Sequence, residues 1–384
     1  MGDVLDKKGY IRGPFGSALK RGEMKTEGIP VYEQQHAIYD NRLFRYYIDD
    51  NKFEELKRFQ VIPNDLIVSC SGTIGKTSLI RENDEKGIIS QALLILRSNS
   101  KIIEPKFLKY FLETNKGYNS LISSAGGSSQ VNIAKKQIIL DIPLVVPRLP
   151  TQHKIINFLD KISYKIELLE HKYEKYQDFK KYLMQQIFAQ KLRFDFDDEW
   201  KNIPFKKLLK EINEKTTVNN QHEILSSTKE GIFTQKEYFA DRNVASKDNT
   251  GYKILRKNQI VLSPQNLWMG NINVNTEFDI GIVSPSYKIY ETTDLVDINY
   301  FKHIIKLPRL IYEYTCASEQ GASIVRRNLN KELFNEITIK VPSSKEQEKI
   351  GKLFDTYDEK IKNIDKNIQD MKEFKKGLLQ QMFV

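Results

Sequence analysis

A stretch of about forty residues is written twice in this chain, in unbroken register. Pro147, Gln152, Ile155, Asp160, Ile166, Phe179, Lys180, Lys181, Leu183, Gln185, Gln186 and Phe188 recur 195 positions later as Pro342, Gln347, Ile350, Asp355, Ile361, Phe374, Lys375, Lys376, Leu378, Gln380, Gln381 and Phe383. Register held over that distance means a tandem duplication, so the chain has to fold as two similar units with two similar connectors. The likeness extends upstream more loosely. Asn64-Asp65-Leu66-Ile67-Val68-Ser69 aligns with Asn258-Gln259-Ile260-Val261-Leu262-Ser263 at an offset of 194, as does Gly87-Ile88-Ile89-Ser90 with Gly281-Ile282-Val283-Ser284. Phe107-Leu108-Lys109 matches Tyr300-Phe301-Lys302. Between these points the halves differ almost completely: two scaffolds of one kind carry different surfaces.

The repeated stretch has the pattern of a long helix. Apolar or aromatic residues at Ile155, Leu159, Ile162, Ile166, Leu169, Tyr173, Tyr176, Leu183 and Ile187, and at Ile350, Phe354, Tyr357, Ile361, Ile364, Ile368, Met371, Leu378 and Met382, follow steps of four and three, with Lys180 and Lys375 at the vacant position of each seam. A 3.5-residue period over about five heptads is a coiled-coil seam. At 1.5 Å per residue, about 38 residues make a rod of roughly 57 Å. The expected arrangement is an antiparallel pair of these helices within one chain, giving approximate twofold symmetry. Packing of each helix on its own module, or a seam between two chains, is the alternative.

Elsewhere the pattern changes to short β-type runs, at Leu66 to Cys70, Gly87 to Leu96, Ile260 to Ser263 and Ile282 to Tyr290. Short helical patterns interrupt them at Pro105 to Thr114 and Ile298 to Ile305. The fold class is therefore α+β: two similar α/β modules at residues 1–147 and 193–342, joined by long helices at 148–192 and 343–384. The connecting loops are rich in Gly, Ser and Asn. In the first module Ser17, Lys20, Thr73, Lys76, Ser129 and Gln130 combine hydroxyl, amide and ammonium groups, as do Gln265, Asn266, Asn271, Ser323, Arg326 and Arg327 in the second. Amide and guanidinium groups suit base edges, and lysines suit phosphates; ordinary hairpin turns use the same residue types.

Net charge is +10, spread through both halves, which favours a polyanionic partner. Two cysteines, Cys70 and Cys316, exclude a disulfide framework and read as reduced structural thiols. No apolar run has the length to span a bilayer, and the start of the chain lacks a signal-peptide core. These features point to the cytosol.

Catalytic patterns fail on their chemistry. Ser71-Gly72-Thr73-Ile74-Gly75-Lys76-Thr77 imitates a phosphate-binding loop, but Cys70 stands where the first glycine belongs and no helix pattern follows. Asp65 with Asp84-Glu85-Lys86 imitates a nuclease metal site in a chain that is 29% charged, where such spacings arise freely. The five histidines have neither zinc-ligand nor triad spacing, and neither an Asn-Pro-Pro-aromatic motif nor a glycine-rich cofactor loop follows a strand. No catalytic residue and no metal site is expected.

Several motifs then converge. They are Pro-x4-Gln opening each long helix (Pro147/Gln152, Pro342/Gln347), the Lys-Lys-x-Leu-x-Gln-Gln-x-Phe ending, the Asn-Asp-Leu-Ile-Val-Ser-x-Ser-Gly-x-Ile-Gly run at 64–75, and Gly13-Pro14-Phe15-Gly16-Ser17-x-Leu19-Lys20. Over essentially its full length the chain resembles the specificity subunit of type I restriction-modification enzymes. The resemblance implies two target-recognition domains, each reading half of an asymmetric bipartite site on double-stranded DNA. It implies helices that set the unread gap and dock two modification subunits. Those partners would bind S-adenosylmethionine and methylate adenine, and two restriction subunits would cleave with ATP and Mg. This chain would hold no cofactor of its own. Two departures stand out. The first module lacks a counterpart of the tryptophan segment Trp200 to Leu208, so its first strand is expected to be incomplete, and Pro264-Gln265-Asn266 replaces Ser-Gly-x-Ile-Gly. The competing class is a coiled-coil adaptor with incidental charge; indifference to DNA would mark it.

Overall fold

The computed structural model describes residues 1–122, 133, 135–239, 248–320 and 327–383. They form two compact units: unit 1 is Met1–Lys172 with Ile364–Val384, and unit 2 is Tyr173–Asn363. The central helix, Leu149–Phe188, gives its first part to unit 1 and its last part to unit 2; the terminal helix, Ser344–Met382, does the reverse.

Unit 1 contains β1 (Leu5–Arg12), β2 (Ile29–Tyr32), β3 (Tyr47–Ile48), β4 (Leu66–Ser69), β5 (Thr77–Leu79), β6 (Ile88–Ile89) and β7 (Leu93–Ser98). An antiparallel sheet runs β1-β7-β4-β5, and β3-β2-β6 make a smaller one. Side chains alternate across the large sheet. Leu66, Val68, Leu94 and Leu96 pack toward Phe107, Phe111, Leu159 and Phe383. Ile67, Leu93 and Ile95 pack the other way, toward Val31, Tyr32, Ile48 and Phe53. Burial on both faces is why these strands are apolar without alternation.

Unit 2 contains β8 (Lys201–Pro204), β9 (Leu209–Ile212), β10 (Leu225–Ser227), β11 (Ile232–Thr234), β12 (Lys253–Arg256), β13 (Ile260–Leu262), β14 (Ile272–Val274), β15 (Ile280–Val283), β16 (Lys288–Thr292), β17 (Ser318–Gln320), β18 (Arg327–Leu329) and β19 (Thr338–Val341). Its main sheet, β14-β13-β16-β9, is again antiparallel. Ile260 and Leu262 face one core while Val261 and Ile289 face another, repeating the division around β4 and β7. β8 pairs with β19; in unit 1 the counterpart of β19, residues 143–146, has no paired strand among the described residues. The sheet strand β1 pairs with β7 at Leu5 and again at Tyr10–Arg12, with a break in register between them.

Two strands expected from sequence are each divided. Gly87 to Leu96 splits into β6 and β7 around Ser90-Gln91-Ala92, and Ile282 to Tyr290 splits into β15 and β16 around Ser284-Pro285-Ser286-Tyr287. In both units the two pieces enter different sheets. Both sheets bury these residues, so the apolar pattern runs across the break without registering it.

Each long helix is fixed at its start by one glutamine. Fully buried Gln152 donates through Nε2 to the carbonyls of Ile102 (2.9 Å) and Pro147 (2.8 Å), and accepts from the amide of Glu104 (2.8 Å). Gln347 donates to Leu295 (3.2 Å) and Pro342 (3.0 Å) and accepts from Asp297 (2.7 Å). Glu104 and Asp297 are the N-caps of the short helices Pro105–Glu113 and Ile298–Ile304, so the Pro-x4-Gln motif is a clip between two helix starts.

Within unit 1 the two long helices run antiparallel. Ile156 and Leu159 share a cluster with Leu379 and Phe383, and Glu170 pairs with Lys372 at 2.6 Å. Within unit 2, Phe188 stacks near Phe354 (ring centroids 5.7 Å apart), and Lys180, in a vacant seam position, pairs with Asp358. Leu159, Ile162, Ile166, Leu183, Ile350, Phe354, Ile364 and Ile368 are buried; Ile155, Leu169, Ile361 and Leu378 are half-buried. The stripe is broader than the seam at these ends, where Ile156, Leu379 and Phe383 are buried too, because the helices there also lie on globular residues such as Phe107. Lys375, the other vacant position, lies over the ring of Tyr110 at 5.4 Å, and burial pushes its pKa down.

Candidate nucleic-acid interface

Strand register places the candidate loops of unit 1 at one end of its sheet. Arg12 at the end of β1 and Val68 near the end of β4 both pair with Leu94, and Val68 also pairs with Thr77. The segment 13–20 and the turns 70–76 and 90–92 therefore leave the sheet together. Ser17 lies in the short 3-10 turn Gly16–Ala18, and exposed Lys20 precedes another, Arg21–Glu23.

The 70–76 turn is held from inside. Ser69 Oγ donates to Thr73 O (2.6 Å) and accepts from Lys76 N (2.9 Å), and Gln34 Nε2 donates to Thr73 O at 3.4 Å. Thr73 and Lys76 are left exposed on a fixed backbone. Lys76 Nζ lies 5.9 Å from the Tyr118 ring centroid. Ser129 and Gln130 lie outside the described residues. The residues on either side of their segment both reach this turn: Leu121 lies against Gly75, and Ile133 N donates to Cys70 O at 3.1 Å.

Unit 2 rebuilds this end with other residues. Leu262 pairs with Ile272 and Lys288, so the turns 263–271 and 284–287 emerge together. Arg327 N donates to Gln265 O at 3.2 Å, the counterpart of the Ile133–Cys70 bond. Gly270 at φ 85° answers Gly75 at φ 77°. A Cβ at Gly270 would lie 2.9 Å from Ile311, and one at Gly75 would lie 3.2 Å from Tyr118. Both positions need a left-handed backbone against a helix, which favours glycine. The replaced Ser-Gly-x-Ile-Gly run thus keeps its last glycine in structural terms.

Gln265 is exposed and Asn266 half-buried at this end. The Arg327 guanidinium lies 4.5 Å from the Trp268 ring centroid. Trp268, Tyr118 and Gln34 are missing from the sequence-level candidates; Trp268, one of two tryptophans and placed in a loop, was the one with a readable signal. Asn271 needs correcting. It is buried, accepts from Ser227 Oγ (2.8 Å) and donates to Ser227 O (2.9 Å), so its amide serves the fold and does not face a ligand. Ser323 and Arg326 lie outside the described residues, between β17 and β18.

The imitations of catalytic sites resolve into structural pairs. Fully buried Asp65 receives both Nε (2.7 Å) and NH2 (2.8 Å) of Arg97; burial pushes its carboxyl up and the guanidinium opposes this. Asp84 pairs with Arg42 at 2.7 Å. The phosphate-loop imitation joins two strands, β4 and β5, with no helix after it. His303, Asp355 and Asp358 bring ligand-type atoms within 4.8 Å of one another. Lys302 already neutralises Asp355 at 2.7 Å and Lys180 neutralises Asp358, which makes the group an ion-pair network. Cys70 is buried, its thiol pushed up to about 12 by desolvation, whereas Cys316 is exposed, contrary to a structural role for both. Among the described residues no helix is long and apolar enough to cross a membrane.

The family model of the type I restriction modification DNA specificity domain matches residues 18–177. The type I restriction enzyme MjaX specificity subunit of Methanocaldococcus jannaschii is 28% identical over 149 residues, 37% of this chain. That match spans 34% of the relative's length. Among solved structures, the S subunit of a type I restriction-modification system from M. genitalium aligns over 100% of this chain and 94% of its own, with 16% identity and a TM-score of 0.56. A chain of a type I R-M system solved for its complex assembly and conformational transition aligns over 99% and 95%, with 14% identity and a TM-score of 0.57. The two-unit scaffold with its long helices has the fold of these solved chains. Residues 18–177 thus match the type I restriction modification DNA specificity domain, and the chain as a whole shares the fold of the solved S subunit.

Proposed function

We propose that this chain is the DNA-reading subunit of a type I restriction-modification complex and that all chemistry resides on its partners. Each unit offers its loop end to one half of a bipartite site on double-stranded DNA. The observation that carries this reading is the pair of loop ends held by the same ties, Ile133–Cys70 with Gly75–Tyr118 and Arg327–Gln265 with Gly270–Ile311, while the residues displayed differ. Equal support with unequal groups gives two readers of different sequence, so the target is asymmetric. The net charge of +10 supplies the sequence-independent part of the affinity.

The long helices set the gap between half-sites and dock two modification subunits, which bind S-adenosylmethionine and methylate adenine. Two restriction subunits with ATP and Mg complete the cleaving complex. The test is adenine-methylation mapping in cells with and without this gene, beside DNA binding by the chain assembled with its modification subunit. The expected result is one asymmetric bipartite motif that loses methylation on deletion. Indifference of the assembled complex to DNA would replace this reading with a protein-interaction adaptor.

A further inference from the structure

Each unit contains an apolar slot, and several lining positions of the two slots correspond. In unit 1 Phe107 and Phe111 of the short helix, Leu144 before the central helix and Phe383 at the end of the terminal helix line a cavity of about 220 Å³, with exposed Lys116 also lining it. In unit 2 Tyr300, Ile304, Ile339 and Phe188 line a cavity of about 240 Å³, with exposed Arg309 also lining it. The members on the short helix and the two cations are 193 positions apart and the others 195, so one ancestral slot has been kept twice. The volumes fall below the about 300 Å³ at which small-molecule sites begin, and suit one apolar side chain.

Packing alone accounts for retained aromatic walls. It does not account for a retained exposed cation. Lys116 and Arg309 are both exposed, and neither has an acidic partner among the described residues. The loop ends of the two units have diverged, while these slots keep an aromatic ring at Phe107/Tyr300 and Phe383/Phe188, an aliphatic side chain at Leu144/Ile339 and a cation at Lys116/Arg309; Phe111 is replaced by Ile304. Unequal DNA halves require divergence; two copies of one protein require equality.

We propose that both slots receive the same element from two copies of the modification subunit: a protruding apolar side chain beside a carboxylate that Lys116 or Arg309 holds. This rests on the reading above that two modification subunits dock on the chain. The test uses the full chain with Lys116→Glu, Arg309→Glu and both, assembled with purified modification subunit and followed by native mass spectrometry. Each residue is second in its helix, Asn115–Ile122 or Pro308–Cys316, where a carboxylate is electrostatically favourable, so the fold is retained and thermal melting verifies it. Each single reversal is expected to weaken one of the two binding steps about tenfold, leaving mainly a one-copy complex, and the double variant to weaken both. A double variant that forms the two-copy complex at wild-type concentrations would remove the slots and leave docking intact. A wild-type chain that takes up no modification subunit would remove the docking reading and the slots with it.

Discussion

Tyr110 and His303 hold the same place in the two units, and each hydrogen-bonds to the aspartate of a long helix: Tyr110 to Asp160 at 2.5 Å, His303 through Nε2 to Asp355 at 2.8 Å. Only the imidazole titrates near neutrality. Burial pushes His303 below the ordinary histidine value, with the Asp355 hydrogen bond opposing, and Lys180, Lys302 and Asp358 face the same ring or its aspartate. Because the unfolded chain then takes up the proton first, this group's contribution to stability is full above about pH 6.5 and is lost as pH falls below it. His36 in unit 1 is depressed by burial in the same direction. The melting temperature should therefore drop between pH 7.5 and 5.5, and His303→Tyr, which installs the residue of unit 1, should flatten the drop. An unchanged slope in that variant would assign the whole effect to His36.

The two glutamine clips should dominate the stability of the helix starts. Gln152→Ala or Gln347→Ala leaves two carbonyls and one amide without their partner, at a cost of about 2–4 kcal/mol in urea unfolding. A loss under 0.5 kcal/mol, the level of a surface change, would mean that water replaces the clip.

Base reading should be separable by unit. Gln265→Ala and Arg327→Ala are expected to cost about 1–3 kcal/mol each where they reach base edges, and to relax preference at the half-site read by unit 2 alone. Thr73→Ala and Lys76→Ala should act on the other half. Competition with duplexes scrambled in one half at a time measures both. Asn271→Ala should lower stability without altering base preference, because its amide bonds Ser227.

Affinity for duplex should fall linearly on a log–log plot against salt, with a slope of about −0.9 per phosphate neutralised. Replacing an exposed lysine that touches phosphate, with Lys20 the first candidate, should lower that slope by about one while leaving sequence preference intact.

The helices were legible because their period and their 195-residue register are properties of the chain itself. The paired short strands β6/β7 and β15/β16 were not, since an apolar run buried in two adjoining sheets carries the same hydropathy as one strand. The candidate turns were placed by their Gly and Asn content, but which of their residues face outward was not legible. Asn271 and Gln265 look alike in sequence and differ only in whether Ser227 lies within reach. The Gly75–Gly270 equivalence was hidden because the turns around them share almost no residues. Arg97 and Arg42, which neutralise Asp65 and Asp84, lie far from a nuclease-like spacing and become visible only through strand pairing.

Gly75 rests against Tyr118 and Gly270 against Ile311, and that difference governs how specificity could be transplanted. A turn grafted alone from one unit to the other would meet a helix shaped for a different neighbour. A cassette that carries the turn together with its backing helix, Asn115–Ile122 or Pro308–Cys316, keeps the fit. Recombination that exchanges such matched blocks would create new targets without re-engineering the scaffold beneath them.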